Sequence, residues 1–479
     1  MQSSTITMDL DIDLMGAQPA LFKLYTQLAF VFSRSDTQLP SPLVEIISKG
    51  LKKLSQHFPW VAGQVVNVNT ATSAPPLYKI RPFEETPRLL VKDYTNDESV
   101  PSFAQMEAAG YPMSMLQEDR WAPCPTLAGL GFGPRGSSGS ADELAPVMMV
   151  QLSFIRGGLV MCINMQHNTC DMLGQAAVMQ WFSKICSGEQ LTGEELRLGK
   201  MARKGLVPLC GQAGWSHGAE LNDQLLVSEP VVSSDASSEK KQADTMPSSS
   251  PKCSWNYFNF ASSSLEELKQ QAMSELPGGS AGFVSTDDAL SAFIYQSVLR
   301  VRQERLPPDQ SITFARAVDA RRYLNIDAAY PGILQNMAYT HLTLADLLSL
   351  PLGHVAATLR QQVDINTSDV AHRTRSLLTY LSQSPEHIRN ISFTARCKAN
   401  ADIMLSSWTK IQAYKWTFGL DLGRPITVRR PGFVPVESLM YIMPKDDKGS
   451  VAVAMCLRDV ETQRLCNSAE WCQFATYVG

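Results

Sequence analysis

The sequence predicts an α/β protein of mixed layers, built as two halves that divide near residue 240. Three observations carry this expectation. Short apolar runs joined by Gly-containing turns alternate along the chain with amphipathic stretches at helical spacing. The segment Ser228 to Lys252 is dominated by Ser, Pro and mixed charge and keeps no period. The chain has 479 residues, of which 44% are hydrophobic, enough for more than one core. The predicted organisation is residues 1–227, a linker over 228–252, and residues 253–479.

The first predicted helix runs from Pro42 to His57, with Ser41 as N-cap and Pro42 in the first turn. Leu43, Ile46, Ile47, Leu51 and Leu54 form its apolar stripe, and Pro59 stops it. Trp60 to Ala62 then read as the start of an extended segment. Gly131 to Glu143 is rich in Gly and Ser and reads as a surface loop. Val147 to Ile155 and Leu159 to Gln166 are apolar runs joined by Arg156-Gly157-Gly158, a hairpin signal. His167 falls at the end of its second strand, and Gly174 to Ile185 reads as a helix. In the second half, Trp255 to Phe260 is strand-like. Ser264 to Ser274 reads as a helix with a Ser264–Glu267 capping box. Ser285 caps a helix to about Gln303, and Thr313 to Val318 is a strand. Ser438 to Met443 and Val451 to Leu457 pair as a hairpin through a turn at Asp446 to Gly449.

Composition excludes several classes. Lys plus Arg is 42 and Asp plus Glu is 46, a net charge of −4, with no basic patch for nucleic acid. The N-terminus has acids where a signal peptide needs basic residues, and no apolar run approaches a membrane span. The 10 cysteines include no C-x-x-C pair, and no two histidines stand at i, i+4 to hold zinc. The expectation is a cytoplasmic protein without disulfides, a metal or a membrane partner.

The leading chemical candidate is His167-Asn168-Thr169-Cys170-Asp171. A histidine between a strand and a helix can face a cleft, and neutral imidazole is well matched to general-base work near pH 7. Asp171 could orient it or brace the loop. This spacing is common by chance, and a satisfied structural histidine is the competing reading. Gly278 to Gly282 matches the G-x-S-x-G nucleophile elbow around Ser280, but a helix and a Pro-Gly-Gly stop precede it instead of a strand. Cys170 reads as a buried structural thiol.

The company of the His167 motif is more specific. The matching stretches are Leu54 to Val65, Pro82 to Asp93, Phe283 to Gln296, and Arg316 to Arg321. They continue with Tyr330 to Met337, Ile403 to Lys410, Phe418 to Pro425, Val428 to Pro444 and the terminal Tyr-Val-Gly. In this order they resemble, nearly end to end, the fungal trichothecene 3-O-acetyltransferases of the BAHD-type CoA-dependent acyltransferase superfamily. The resemblance implies two similar chloramphenicol-acetyltransferase-like domains with mixed sheets, meeting around a central solvent channel.

It further implies that His167 takes the proton of an acceptor hydroxyl, whose oxygen attacks an acyl-CoA thioester. Asp171 would turn away and pair with Arg321. Ser406, Ser407 and Trp408 would line the channel, and Phe418 and Gly419 would support the site. Acyl-CoA, most simply acetyl-CoA, would be a co-substrate and no cofactor would be permanently bound. The partner would be a hydroxylated apolar metabolite such as a trichothecene-like sesquiterpenoid, and the protein a monomer. Two departures stand out. The family's Asp-Phe-Gly-Trp-Gly or Asp-Phe-Gly-Leu-Gly is here Thr417-Phe418-Gly419-Leu420-Asp421, and residues 168–170 are bulkier than the small ones the family often carries. Rival readings are a longer or aromatic acyl donor, an amine acceptor, or a metabolite-binding protein without catalysis. Lys410, Arg429 and Arg430 are candidates for the CoA phosphates, with solvated surface charge as the alternative.

Overall fold

The computed structural model describes residues 8–69, 74–128, 144–211, 214–226, 251–278 and 282–479. The proposed linker up to residue 250, the Gly/Ser segment 131–143 and Ser280 lie outside the described residues. Three sheets organise the rest. A five-stranded mixed sheet has the order Thr427–Arg429, Tyr25–Ser33, Gly158–Gln166, Met148–Ile155, Arg88–Asp93. A seven-stranded mixed sheet has the order Gln335–Thr343, Ser311–Asp319, Ile403–Ser407, Leu439–Ile442, Val451–Arg458, Cys253–Phe260, Ala475–Tyr477. A small antiparallel sheet joins Leu10–Asp11, Tyr78–Arg81 and Gln64–Asn67. The five-stranded sheet thus takes one edge strand from late in the chain.

Helices Pro40–His57 and Met172–Cys186 pack on the five-stranded sheet, and the apolar stripe Leu43, Ile47, Leu51 and Leu54 is buried there. Helices Ser262–Ser274, Thr286–Arg302 and Leu352–Gln361 cover one face of the seven-stranded sheet. The strand Val451–Arg458 shows why that sheet is central. Val453, Met455 and Leu457 enter the helix-covered core, while Ala452, Ala454 and Cys456 enter the core that also holds the five-stranded sheet. Alternate side chains of a strand point to opposite faces. Both faces are therefore buried.

The central hairpin pairs Ile155 with Gly158 and Met148 with Met165, and Gly157 takes φ +73° at its turn. Ser285 caps Thr286–Arg302 in a complete capping box with Asp288. Three local expectations need correction. The first helix begins at Pro40, and Ser41 lies inside its first turn with no side-chain cap. Both prolines then occupy positions whose N–H groups have no helical partner anyway. Pro59–Ala62 is a 3₁₀ turn, held by a 2.9 Å bond from Trp60 Nε1 to the Gly199 carbonyl, and the strand starts at Gln64. Ser262–Ser274 starts directly after its strand, with Ala261 at the cap, so Ser264 caps nothing.

The departed loop Thr417 to Asp421 lies against the C-terminal end of Met172–Cys186. Phe418 is fully buried against Phe30 and Phe182, and its N–H donates to Ser183 Oγ at 3.1 Å. Phe418, Gly419 and Asp421 take φ values of +51°, +61° and +54°. The position where glycine was expected does require positive φ, and Asp is among the residues that tolerate it. A Cβ on Gly419 would stand 2.3 Å from the Cys186 carbonyl oxygen. Gly419→Ala is expected to lower unfolding free energy by about 2–5 kcal/mol, from left-handed strain plus overpacking. Asp421→Gly should stay within about 1 kcal/mol of wild type. Urea unfolding of both variants checks the contrast.

Candidate active site

The strand Gly158–Gln166 pairs with Tyr25–Ser33 up to Gln166, and the next residue is His167. Its N–H donates to the Leu24 carbonyl at 2.7 Å, so the pairing direction is prolonged by one residue and the imidazole leaves at the sheet end. Nδ1 is enclosed, and no other described residue offers it a hydrogen bond. Nε2 is the ring nitrogen left open. Burial holds His167 below its ordinary value of 6.5, and the Arg430 charge acts in the same direction. Its own backbone carbonyl and the Asp171 carboxylate pull the other way. The imidazole is therefore neutral at pH 7, the state a base requires.

Asp171 turns into the protein. It is the N-cap of Met172–Cys186, accepting from Gly174 N at 2.9 Å through Oδ1. Oδ2 accepts from Leu334 N at 2.7 Å. Arg321 approaches both oxygens, with Nη2 2.9 Å from Oδ1 and Nη1 2.9 Å from Oδ2. The remaining Arg321 donors go to Asp319 Oδ1 at 2.9 Å, Tyr330 O at 3.0 Å and Gly332 O at 2.8 Å. Four of the five guanidinium N–H groups are thus hydrogen-bonded, and Nη1 meets Asp171 Oδ2 as an ion pair. Burial works to lower Arg321, and the Asp171 carboxylate overrides it and holds the cation charged. Gly174 makes the approach possible, because a Cβ there would stand 2.3 Å from the Pro331 carbonyl oxygen. A second buried pair, Asp13 with Arg203 at 3.0 Å, braces the same loop. Arg203 also donates to the Thr169 carbonyl, and Tyr330 donates to Asp13.

Two cavities adjoin at this point. One, of about 320 Å³, is walled mainly by apolar side chains including Leu24, Leu127, Met337 and Phe393, and carries His167 and Arg430. The other, of about 210 Å³, is the more polar of the two and carries Asp171, Asp287, Asp288, Asp319, Arg316, Arg321, Arg322, Arg360 and Lys410. They share Met172, Ala317, Gln335, Ser406 and Trp408 in their walls. Ser406 Oγ accepts from Trp408 Nε1 at 3.0 Å. Ser407 belongs to the polar cavity only and donates to Asp287 Oδ1 at 2.6 Å. Phe418 and Gly419 line neither, and act behind the helix that Asp171 caps. Arg429 and Arg430 are not solvated surface charges, being 6% and 3% exposed. Arg430 stands on the apolar cavity and not on the polar one. Sequence reading gave no place to Met172, Ala317 or Gln335, whose only signal was membership of matched stretches or adjacency to Asp171. Among the described residues no cluster of His, Cys, Asp or Glu could hold a metal ion. No helix among them is long and apolar enough to cross a membrane.

The family model for the trichothecene 3-O-acetyltransferase-like N-terminal domain matches residues 24–186, and that of the Transferase family matches residues 120–470. The trichothecene 3-O-acetyltransferase TRI101 of Fusarium sporotrichioides is 40% identical over 100% of this chain and 99% of its own. The chain belongs to this family. The trichothecene 3-O-acetyltransferase of Saccharomyces cerevisiae is 36% identical over 98% of this chain and 95% of its own. The crystal structure of F. graminearum TRI101 with ethyl coenzyme A superposes with a TM-score of 0.89 at 39% identity, covering 99% of this chain and 100% of that one. The same protein has been solved with coenzyme A and T-2 mycotoxin, at a TM-score of 0.88 over 99% of this chain and 100% of that one. This member is accordingly a CoA-dependent O-acyltransferase with the family's α/β fold, and acyl-CoA is its co-substrate.

Within this acyltransferase the Asp171–Arg321 contact has a measurable weight. Arg321→Ala leaves a buried carboxylate without its cation and is expected to cost about 3–5 kcal/mol. The double variant Asp171→Asn, Arg321→Met should recover part of that loss. A double-mutant cycle followed by urea unfolding measures the coupling.

Proposed function

We propose that this chain moves an acetyl group from acetyl-CoA to a secondary hydroxyl of an apolar secondary metabolite, a trichothecene-like sesquiterpenoid being the first acceptor to try. The observation that carries the reading is the position of His167. Its free nitrogen opens on an apolar cavity that abuts a polar one across Ser406 and Trp408. The apolar cavity suits the acceptor. The more polar one suits the CoA arm: Arg316 and Arg360 there are paired with Asp287, Asp288 and Asp364, and Lys410 has no carboxylate partner among the described residues. The relatives named for trichothecene acetylation, and the solved complexes with coenzyme A and T-2 mycotoxin, support both assignments.

In this reading His167 Nε2 takes the acceptor hydroxyl proton as that oxygen forms its bond to the thioester carbonyl carbon. The tetrahedral oxyanion receives the Ser406 hydroxyl proton as a hydrogen bond, because Ser406 Oγ already accepts from Trp408 and keeps its own O–H to donate. The C–S bond then breaks, and the CoA thiolate takes the proton from the imidazolium. No covalent enzyme intermediate is needed, only proximity, a base and an oxyanion donor. Asp171 and Arg321 position the loop and do not touch the reacting atoms. Residues 1–227 and 253–479 are read as the two acyltransferase halves, joined by 228–252. The protein is read as a cytoplasmic monomer without nucleic-acid or membrane partners, in keeping with its net charge of −4.

His167→Ala should lower kcat by about 10²–10⁴-fold, read as thiol release from acetyl-CoA with a panel of hydroxylated terpenoids. Binding of acceptor without thiol release by the wild type would show that acetyl is not the group this enzyme transfers to that acceptor. The pH profile adds an independent check. The base is the neutral form, and its folded value lies below 6.5, so activity should persist as pH falls through 6.5 and be lost only below it. An acid limb at or above 6.5 in kcat/KM would show that the enclosed imidazole is not the group titrating.

A further inference from the structure

Arg430 is 3% exposed and has an unusual setting for a buried cation. Its guanidinium lies over the Phe433 ring at 4.0 Å and the Tyr441 ring at 4.9 Å from their centroids. Nη1 donates to Pro431 O at 3.2 Å and Nη1 and Nη2 share Thr126 Oγ1 at 3.5 and 3.3 Å. Nε has no partner. No carboxylate among the described residues forms an ion pair with it. The buried cations Arg203, Arg302 and Arg321 each have one at 3.0, 3.1 and 2.9 Å. Arg429, the next residue, also lacks a carboxylate, but it lies over Tyr257 and is not on the wall of the His167 cavity.

A guanidinium offers five donors in a planar fork, and three long bonds to two oxygens leave that capacity unfilled. Burying a cation without an anion is costly, and aromatic faces offset only part of the cost. Among the described residues Arg430 is also the one formally charged side chain on the wall of the apolar cavity, apart from the neutral His167. Its charge therefore confronts whatever occupies that cavity.

Resting on the acyltransferase reading, we propose that Arg430 is a specificity residue that grips an oxo oxygen of the acceptor, a carbonyl or carboxylate remote from the hydroxyl being acylated. Phe433 and Tyr441 hold the fork flat, and Thr126 fixes its height in the cavity. The oxo group takes the second Nη2 N–H, which the protein leaves unfilled, since Nε is enclosed. It also sets the distance between that end of the acceptor and the hydroxyl presented to His167.

The test uses matched acceptors on one hydroxylated terpenoid skeleton, one without a further oxygen function, one with a ketone and one with a carboxylate. Turnover by the full chain is followed as thiol release, and binding is followed by calorimetry with the His167→Ala variant. The expected wild-type preference for an oxo-bearing acceptor over the unsubstituted one is about 10- to 100-fold in kcat/KM, the range for a hydrogen bond to a charged group. In Arg430→Met that preference should collapse to within about threefold, while Arg430→Lys, which keeps the charge and loses the fork, falls between. Whichever oxo acceptor shows the larger Arg430 dependence identifies carbonyl or carboxylate as the group gripped. A residue that merely supports Phe433 and Tyr441 would weaken all three acceptors equally, and that result overturns the proposal. So does a wild type with no preference in turnover or binding. Arg430-dependent binding without thiol release would keep the grip on the oxo group and sink the proposed acetyl transfer to that acceptor.

Discussion

Asp171 and Arg321 stand 150 residues apart in sequence and meet as ions where almost no water reaches them. Two buried ions cost several kcal/mol each to desolvate, and only complete hydrogen bonding offsets that. Here it is nearly complete, with four guanidinium hydrogen bonds made and Nη1 also 2.9 Å from Asp171 Oδ2. The carboxylate takes the helix N-terminus, the Leu334 amide and a two-pronged guanidinium, and the guanidinium fills its remaining donors with Asp319 and two carbonyls. Such a contact has one geometry in which it is tolerable. It therefore fixes the helix that follows His167 to the loop 330–334, and that loop continues into the strand carrying Gln335. The chain on either side of the two cavities is held in register by the same pair.

The consequence for chemistry is a division of labour unlike a hydrogen-bonded His–Asp couple. Asp171 makes no hydrogen bond to the imidazole. Its charge reaches His167 only through space, while burial and the Arg430 charge press the other way. The imidazole is kept neutral by its surroundings and not by a partner at Nδ1. The two adjoining cavities carry this further. One wall set is mainly apolar and the other rich in charged side chains, and the two meet beside Ser406 and Trp408.

Legibility in the sequence followed the range of each interaction. The central hairpin and the Ser285 cap were readable because their partners lie within a few residues. Ser41 and Ser264 failed as caps for the same local reason in reverse, since proline at 40 and an abrupt strand end at Phe260 started each helix earlier. Trp60 was misread as extended because its anchor, the Gly199 carbonyl, is 139 residues away. Nothing periodic encodes Arg321 as the partner of Asp171, and only the family resemblance named it. Arg430 was visible as a charge, but its cage of Phe433, Tyr441 and Thr126 spans over 300 positions. A basic residue beside a proline reads as surface until those partners are placed.

The altered loop at Thr417 to Asp421 shows which features of a motif the fold requires. Losing the leading carboxylate removes a charge, and Thr417 keeps only weak contacts, at 3.4 Å to Ser187 Oγ and 3.5 Å from Gly419 N. What remains is shape. Phe418 fills the space between Phe30 and Phe182, worth about 1.5–3 kcal/mol by burial, enough to hold a positive φ that costs about 1–2 kcal/mol. Gly419 leaves room for the end of the helix that Asp171 begins. The loop thus supports the site from its far end by packing, so a change of charge there leaves the imidazole, the ion pair and both cavities with every contact described above.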